Sequence, residues 1–223
     1  MIVRNRLLAL LYRIGGLALA ISAIVFWGRN TSSIGIHALC YLPTLLSIYS
    51  SIIFSLLIIV TAIDLRKGFW GIASGLYMPL GMSLTFFSFL QLVLHLGYSL
   101  PTGGAFFSTG EVLSCVLLPI ISIGEWLLFE EKGTIGFSIL PAWYLFPSLY
   151  LMLVVSRPSL WSNAPLLNGT PYPYSFMNFD LFPIWQVFVH IGVATILIAG
   201  LGVGLIFLNN FLAGKYRKQR INL

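Results

Sequence analysis

The sequence predicts an all-α, polytopic membrane protein: a single domain over residues 1–223, built as a bundle of six transmembrane helices with both termini cytoplasmic. Three observations predict it. Apolar residues make up 58% of the 223 positions and charged residues 8%, against about 45–50% and about 25% in soluble domains. Six acidic and twelve basic side chains leave too little polar surface to cover a water-facing sphere, whereas a bilayer asks for polar surface only at its two faces. The apolar residues also fall into separate stretches of about 20, the length needed to cross a hydrocarbon core about 30 Å thick.

The stretches run Leu8 to Trp27, Ala38 to Ile63, Ile72 to Tyr98, Val112 to Phe129, Phe137 to Ser156 and Ile184 to Leu208. The first has an alternative reading as a cleaved leader, because Arg4 and Arg6 precede it and Ala18, Leu19 and Ala20 form a cleavage-like triplet. The apolar run continues past the triplet to Trp27, which favours a retained helix with Arg13 snorkelling to the inner face. Ser47, Ser51 and Ser55 in the second stretch, Gly71 and Gly75 at the third, and Gly200 and Gly204 in the sixth repeat at the spacing that lets membrane helices approach closely. The second half does not repeat the first with broken helices, so an inverted-repeat transporter is not encoded in any visible way.

Charge fixes the expected orientation. Arg4, Arg6, Arg13, Arg66, Lys67, Lys132, Lys215, Arg217, Lys218 and Arg220 share one side of this map, and only Arg29 and Arg157 lie on the other. The side richer in Lys and Arg is the cytoplasmic one. This places residues 209–223 as a basic cytoplasmic tail, exports Asn30 and Asn168 as sequons, and sets the location as a plasma membrane or bacterial inner membrane. The net charge of +6 is explained by orientation, and no base-reading module accompanies it, so nucleic acid is not an expected partner. Cys40 and Cys115 have neither metal spacing nor a secreted disulfide framework and read as buried thiols, a bridge between them being the other reading.

Polar groups inside a membrane are costly and therefore informative. At about 1.5 Å of rise per residue, Thr44 lies about 9 Å into the second stretch, Ser114 and Cys115 about 3–5 Å into the fourth, and His190 about 9 Å into the sixth. His95 and Gln91 fall about 5 and 10 Å below the outer end of the third. His37 and Glu111 stand at outer mouths, and the last exported loop adds Arg157, Tyr172, Tyr174 and Asp180. These side chains form one outer layer and predict a cavity lined by Ser114, Cys115, His190, His37 and Gln91 beside Thr44. Pro43 is expected to kink the second helix there. For each histidine a packing role is the competing reading, and without a carboxylate at fixed spacing no metal site is expected. Glu125, nearer the inner face, is expected to pair with Lys132 or Arg66.

Several strings in the second half resemble a known family. Val116 to Pro119, then Glu125, Trp126, Leu127, Leu128, Phe129, Lys132 and Gly133, resemble the "VVP…DWLLF…KG" block of the bacterial six-span proteins called Pr-six-Pr. These are distant relatives of the androgen-induced and androgen-dependent TFPI-regulating proteins of animals. Leu145 to Tyr150 with Arg157, and Tyr172 to Phe176, are similar to the family's "LYPLLY…R" and "YPYPF" segments. The resemblance spans about residues 90 to 212, and before that rests on span pattern and on Thr44. It implies an intramembrane hydrolase of fatty acid esters of hydroxy fatty acids, with Thr44 at the position of the nucleophile. The family's histidine base falls on Ser114 or Cys115 here, a departure from the pattern. A hydrolase would then need His95, His37 or His190 as substitute base, or a chemistry changed by Cys115; His95, which matches a histidine common in the bacterial members, is the preferred substitute, and the other reading is that nothing is hydrolysed. Ser175, Asn178 and Pro43 are further departures.

Two classes of function follow. The first is an integral membrane protein that binds a lipid head group or a partner in the outer layer, with Arg157, Tyr172 and Tyr174 at the head group. The second is lipid ester hydrolysis by Thr44 and His95; small-solute transport is a third. No cofactor is expected, and membrane lipids are the expected partners.

Overall fold

The computed structural model describes residues 3–30, 32–71, 83, 85–88, 90, 109–133, 136–160, 170–174 and 177–221, with backbone only at 30, 32–34 and 215–221. Among these residues the architecture is helical, with no strand and one isolated antiparallel bridge between Asn5 and Trp70. Helix α1 is Arg6–Asn30, followed by a 3-10 segment Ser32–Cys40 and by α2, Leu42–Leu65. Helix α3 covers Thr109–Phe129 and contains a π turn, Val112–Leu117. Helix α4 is Leu140–Leu160, entered through the 3-10 turn Phe137–Ile139, and α5 is Ile184–Ile221. Among the described residues five helices are long and apolar enough to cross a membrane, as in a membrane-embedded protein. The expected third stretch lies mostly outside the described residues; positions 83, 85–88 and 90 within it are helical.

Local chemistry accounts for the ends. Asn5 caps α1, its Oδ1 accepting the Leu8 N–H at 3.0 Å, one of the donors that a helix start leaves without a carbonyl. Pro43 occupies the first turn of α2, where its missing N–H costs nothing. It therefore helps begin the helix, and the kink expected at Pro43 is not formed. The span starts at Leu42 instead of Ala38, which moves Thr44 to its first turn. Helix α5 continues well past Leu208, so residues 209–221 extend the last helix. Its membrane-grade part, 31 residues long, measures about 46 Å, more than a hydrocarbon core spans, so it must tilt or project.

Packing is aromatic on one side and close on the other. Phe86 stacks on Trp143 at 4.7 Å, and Phe87 meets Tyr49 at 5.1 Å and Phe146 at 4.9 Å. Helix α1 lies along α2, where Gly16 meets the Phe54 ring so closely that a Cβ would come within 2.7 Å of it. Of the small residues on α5, Gly202 makes the close approach, against Leu140, Phe86 and Trp143, while Gly200 and Gly204 face open space. Gly71 lies in a turn, and Ser47, Ser51 and Ser55 each donate to the carbonyl four residues back in α2. On α5, therefore, the close approach falls at Gly202 and not at the expected pair, and Gly75 lies outside the described residues. Trp185, Phe188, Ile196, Phe207 and Phe211 lie exposed along α5, a face suited to lipid.

The two ends differ in content. At one, Val3 N–H donates to Leu128 O, Arg6 N–H to Phe69 O and Gly71 N–H to Arg4 O. Arg6 Nη1 also reaches Gly68 O at 2.9 Å, and Gly133 abuts Ala213. This amino-terminal end gathers the start of the chain, the turn after α2, the turn after α3 and the end of α5. At the other, the loop end, the 3-10 segment, the start of α3 and residues 170–174 and 177–183 come together.

Candidate functional site

At the loop end four elements converge on the start of α2. The Tyr150 hydroxyl, from α4, donates to Cys40 O at 2.8 Å. Tyr174, from the loop before α5, is hydrogen-bonded to the Tyr150 hydroxyl and to the backbone of Leu42, whose N–H is a helix-start donor lacking a carbonyl. Burial raises the Tyr174 phenol well above its ordinary value, with Cys115 and Tyr41 adding to the rise. Cys115, on α3, therefore belongs to the same cluster.

Within it, Thr44 departs from a pattern that recurs along α2. Ser47, Ser51, Ser55 and Thr61 all bond the carbonyl four residues back, the usual arrangement for such residues in a membrane helix. For Thr44 that carbonyl is Cys40 O, which Tyr150 engages. Thr44 Oγ1 is buried and has no hydrogen-bond partner among the described residues. Unlike most intramembrane threonines, it does not bond its own helix.

Ser114 and Cys115 lie on the π turn of α3. Pro119 explains the turn, because its ring nitrogen has no hydrogen for the Cys115 carbonyl and its ring crowds that carbonyl. The chain widens there, and Leu118 N–H bonds Leu113 O, five residues back. Such turns cluster at functional sites. Ser114 Oγ donates to Gly110 O at 2.8 Å, and the Cys115 Sγ lies 3.5 Å from it. Both cysteines are buried free thiols.

The remaining expected site residues make no bond to Thr44 among the described residues. His37 sits half-buried in the 3-10 segment, and His190 is half-buried on α5 with its ring edge to Phe182 at 5.4 Å. No hydrogen bond joins either to Thr44. His95 and Gln91 lie outside the described residues. Arg157 does not end its span at a solvated level: it is wholly buried within α4, and its Nη1 donates to Pro171 O at 2.5 Å. It thereby holds the loop down. Tyr172 is buried beside Phe179 at 6.0 Å, and burial, then the charge of Asp180, raises its phenol.

Sequence reasoning missed a second polar centre near the amino-terminal end. Arg13 does not snorkel; it is buried, with Nη2 2.6 Å and Nε 2.9 Å from Glu125 Oε1. Its Nη1 donates to Thr61 Oγ1 and to Leu57 O. Glu125 thus pairs with Arg13, while Arg66 is exposed and Lys132 donates to the carbonyls of Trp126 and Glu130. Arg13 standing alone in an apolar run was the signal, since an intramembrane charge needs a partner. Among the described residues, no group of three or more His, Cys, Asp or Glu is placed to hold a metal.

Fold and sites define a polytopic helical membrane protein with a polar cluster towards each end. No protein-family model, curated protein or solved structure matches the chain.

Proposed function

We propose that the chain is a six-span integral membrane protein of a plasma or bacterial inner membrane, both termini cytoplasmic, that binds the polar head or ester group of a lipid at its loop end. One observation carries this reading: the Thr44 hydroxyl is buried without a partner among the described residues. An unmet buried hydroxyl costs free energy unless something bonds it, and the adjoining tyrosine, thiol and π turn offer a polar pocket edge in an apolar setting. Arg157, bonded to Pro171, fixes the loop over this position. Most basic residues near the amino-terminal end favour the cytoplasm for that side.

A photoactivatable phospholipid supplied to membranes tests it. Crosslinks are expected at residues 40–44 and 114–115, and Thr44→Val is expected to reduce them about five- to thirtyfold, one hydrogen bond's worth, while Thr44→Ser retains them. Unchanged labelling in Thr44→Val would remove the reading. Labels confined to the cytoplasmic side at position 103 would overturn the orientation.

The same free hydroxyl favours a second reading, in keeping with the resemblance to Pr-six-Pr proteins: Thr44 attacks an acyl carbonyl, with His95 accepting its proton. An acyl-competitive activity probe separates the two. Thr44-dependent covalent labelling selects the hydrolase, and lipid crosslinking without it selects the binder.

A further inference from the structure

The amino-terminal end carries buried polar atoms that the loop-end site does not use. Glu130, just past the end of α3, is 7% exposed, and neither carboxyl oxygen has a hydrogen-bond partner among the described residues. On α5, Asn209 is 0% exposed, and both its amide atoms are equally without partners. Glu125 Oε2 is a further such atom.

Register brings these together. Helices α3 and α5 run the same way, and Trp126 shares one core cluster with Leu205 and Ile206. Seven residues beyond Trp126 and Ile206 alike, Gly133 abuts Ala213. Asn209 lies between those contacts on α5, one turn before Ala213 on the same face, as Glu130 lies between them after α3. Asn209 is therefore placed at the level of the Glu130 turn.

Lys132 is the obvious counter-ion, yet its ammonium donates to the carbonyls of Trp126 and Glu130 and lies 4.4 Å from the Trp126 ring centroid. No ion pair joins it to Glu130; among the described residues the pairs are Arg13 with Glu125 and Lys67 with Asp64. An unbonded, buried carboxylate is among the costliest groups a protein can hold, and it takes a proton instead.

We propose that the amino-terminal end of the bundle is a proton-binding site, in which the Glu130 carboxyl carries a proton exchanged with water at that end and opposes the Asn209 amide. Release leaves the electron pair on the carboxylate and passes the proton to water. Among the described side chains the charges facing Glu130 are Glu125 on α3, Arg13 on α1 and Lys132 in the turn, and Asn209 on α5 is uncharged. Burial foremost, then the charge of Glu125, raises the Glu130 acid from 4.5 to about 8, in agreement with the geometry.

Infrared difference spectra of the full chain in lipid vesicles test this. The wild type is expected to show the C=O stretch of a protonated carboxyl at mildly acidic pH, vanishing with a midpoint near about 8. Glu130→Gln is expected to lose the band, Glu125→Gln to keep it, and Asn209→Leu to shift it. A wild type lacking the band, or a folded Glu130→Gln protein that retains it, overturns the proposal. If Glu130→Gln does not fold, Glu130→Asp decides, because a band from this carboxyl must move when its side chain shortens; an unmoved band also overturns it.

Discussion

At the residue scale, two polar side chains show how a partner decides the meaning of a charge or a hydroxyl. Arg13 and Glu125 lie 112 residues apart in sequence and share one buried ion pair. Removing one partner of such a pair strands the other, a loss of about 3–5 kcal/mol, whereas replacing both by apolar groups is close to neutral. Arg13→Leu and Glu125→Leu are each expected to lower the unfolding free energy in detergent by about that much, and the double substitution to recover most of it. A double variant as unstable as the sum of the two singles would refute the pairing. Thr44 behaves in the opposite way. With no bond to lose, Thr44→Val is expected to leave thermal stability unchanged or raise it by about 1 kcal/mol, while Ser47→Ala forfeits its bond to Pro43 O. A fall of more than about 1 kcal/mol in Thr44→Val would reveal a partner.

At the element scale, two prolines of similar appearance in sequence act differently because of where the helix begins. Pro43 falls in the first turn of α2, where no helical carbonyl waits for its N–H; Pro119 falls inside α3 and forces the π turn. Pro119→Ala restores a donor for Cys115 O, and the α register it permits turns the preceding segment by about 100°, one residue's rotation. Cys115, buried at 1% exposure, is then expected to become reactive to a thiol reagent in a Cys40→Ser background. Equal labelling rates with and without Pro119 would show that the turn does not depend on it.

At the scale of the whole molecule, burial at the amino-terminal end sets a pH dependence. Glu130 is raised from 4.5 to about 8 in the folded protein, so between those values the folded state holds the extra proton and stability falls as pH rises. Lys132 is lowered from 10.5 to about 8, chiefly by burial, so between those values the unfolded state holds the extra proton and stability rises with pH. The two windows meet, and the thermal midpoint is expected to pass through a minimum near pH about 8. Glu130→Gln is expected to remove the acid-side limb and Lys132→Met the alkaline one. A flat profile would contradict both shifts.

The sequence by itself determined the helical, membrane-grade character of the chain, because hydrophobic length and the scarcity of charge are properties of composition and spacing. The fourth stretch, for example, was read as Val112 to Phe129 and is observed as Thr109–Phe129. The depth expected for Thr44 changed, because the sequence did not show that the helix begins at Leu42. Only the tertiary structure decided what each polar group meets. Rotation about a helix axis fixes that, and apolar residues on every side of these helices leave it unmarked in the sequence. So the Tyr150 and Tyr174 contacts around α2, the burial of Arg157 under Pro171, the pairing of Arg13 with Glu125 and the inward placement of Asn209 each required the helices to be set against one another.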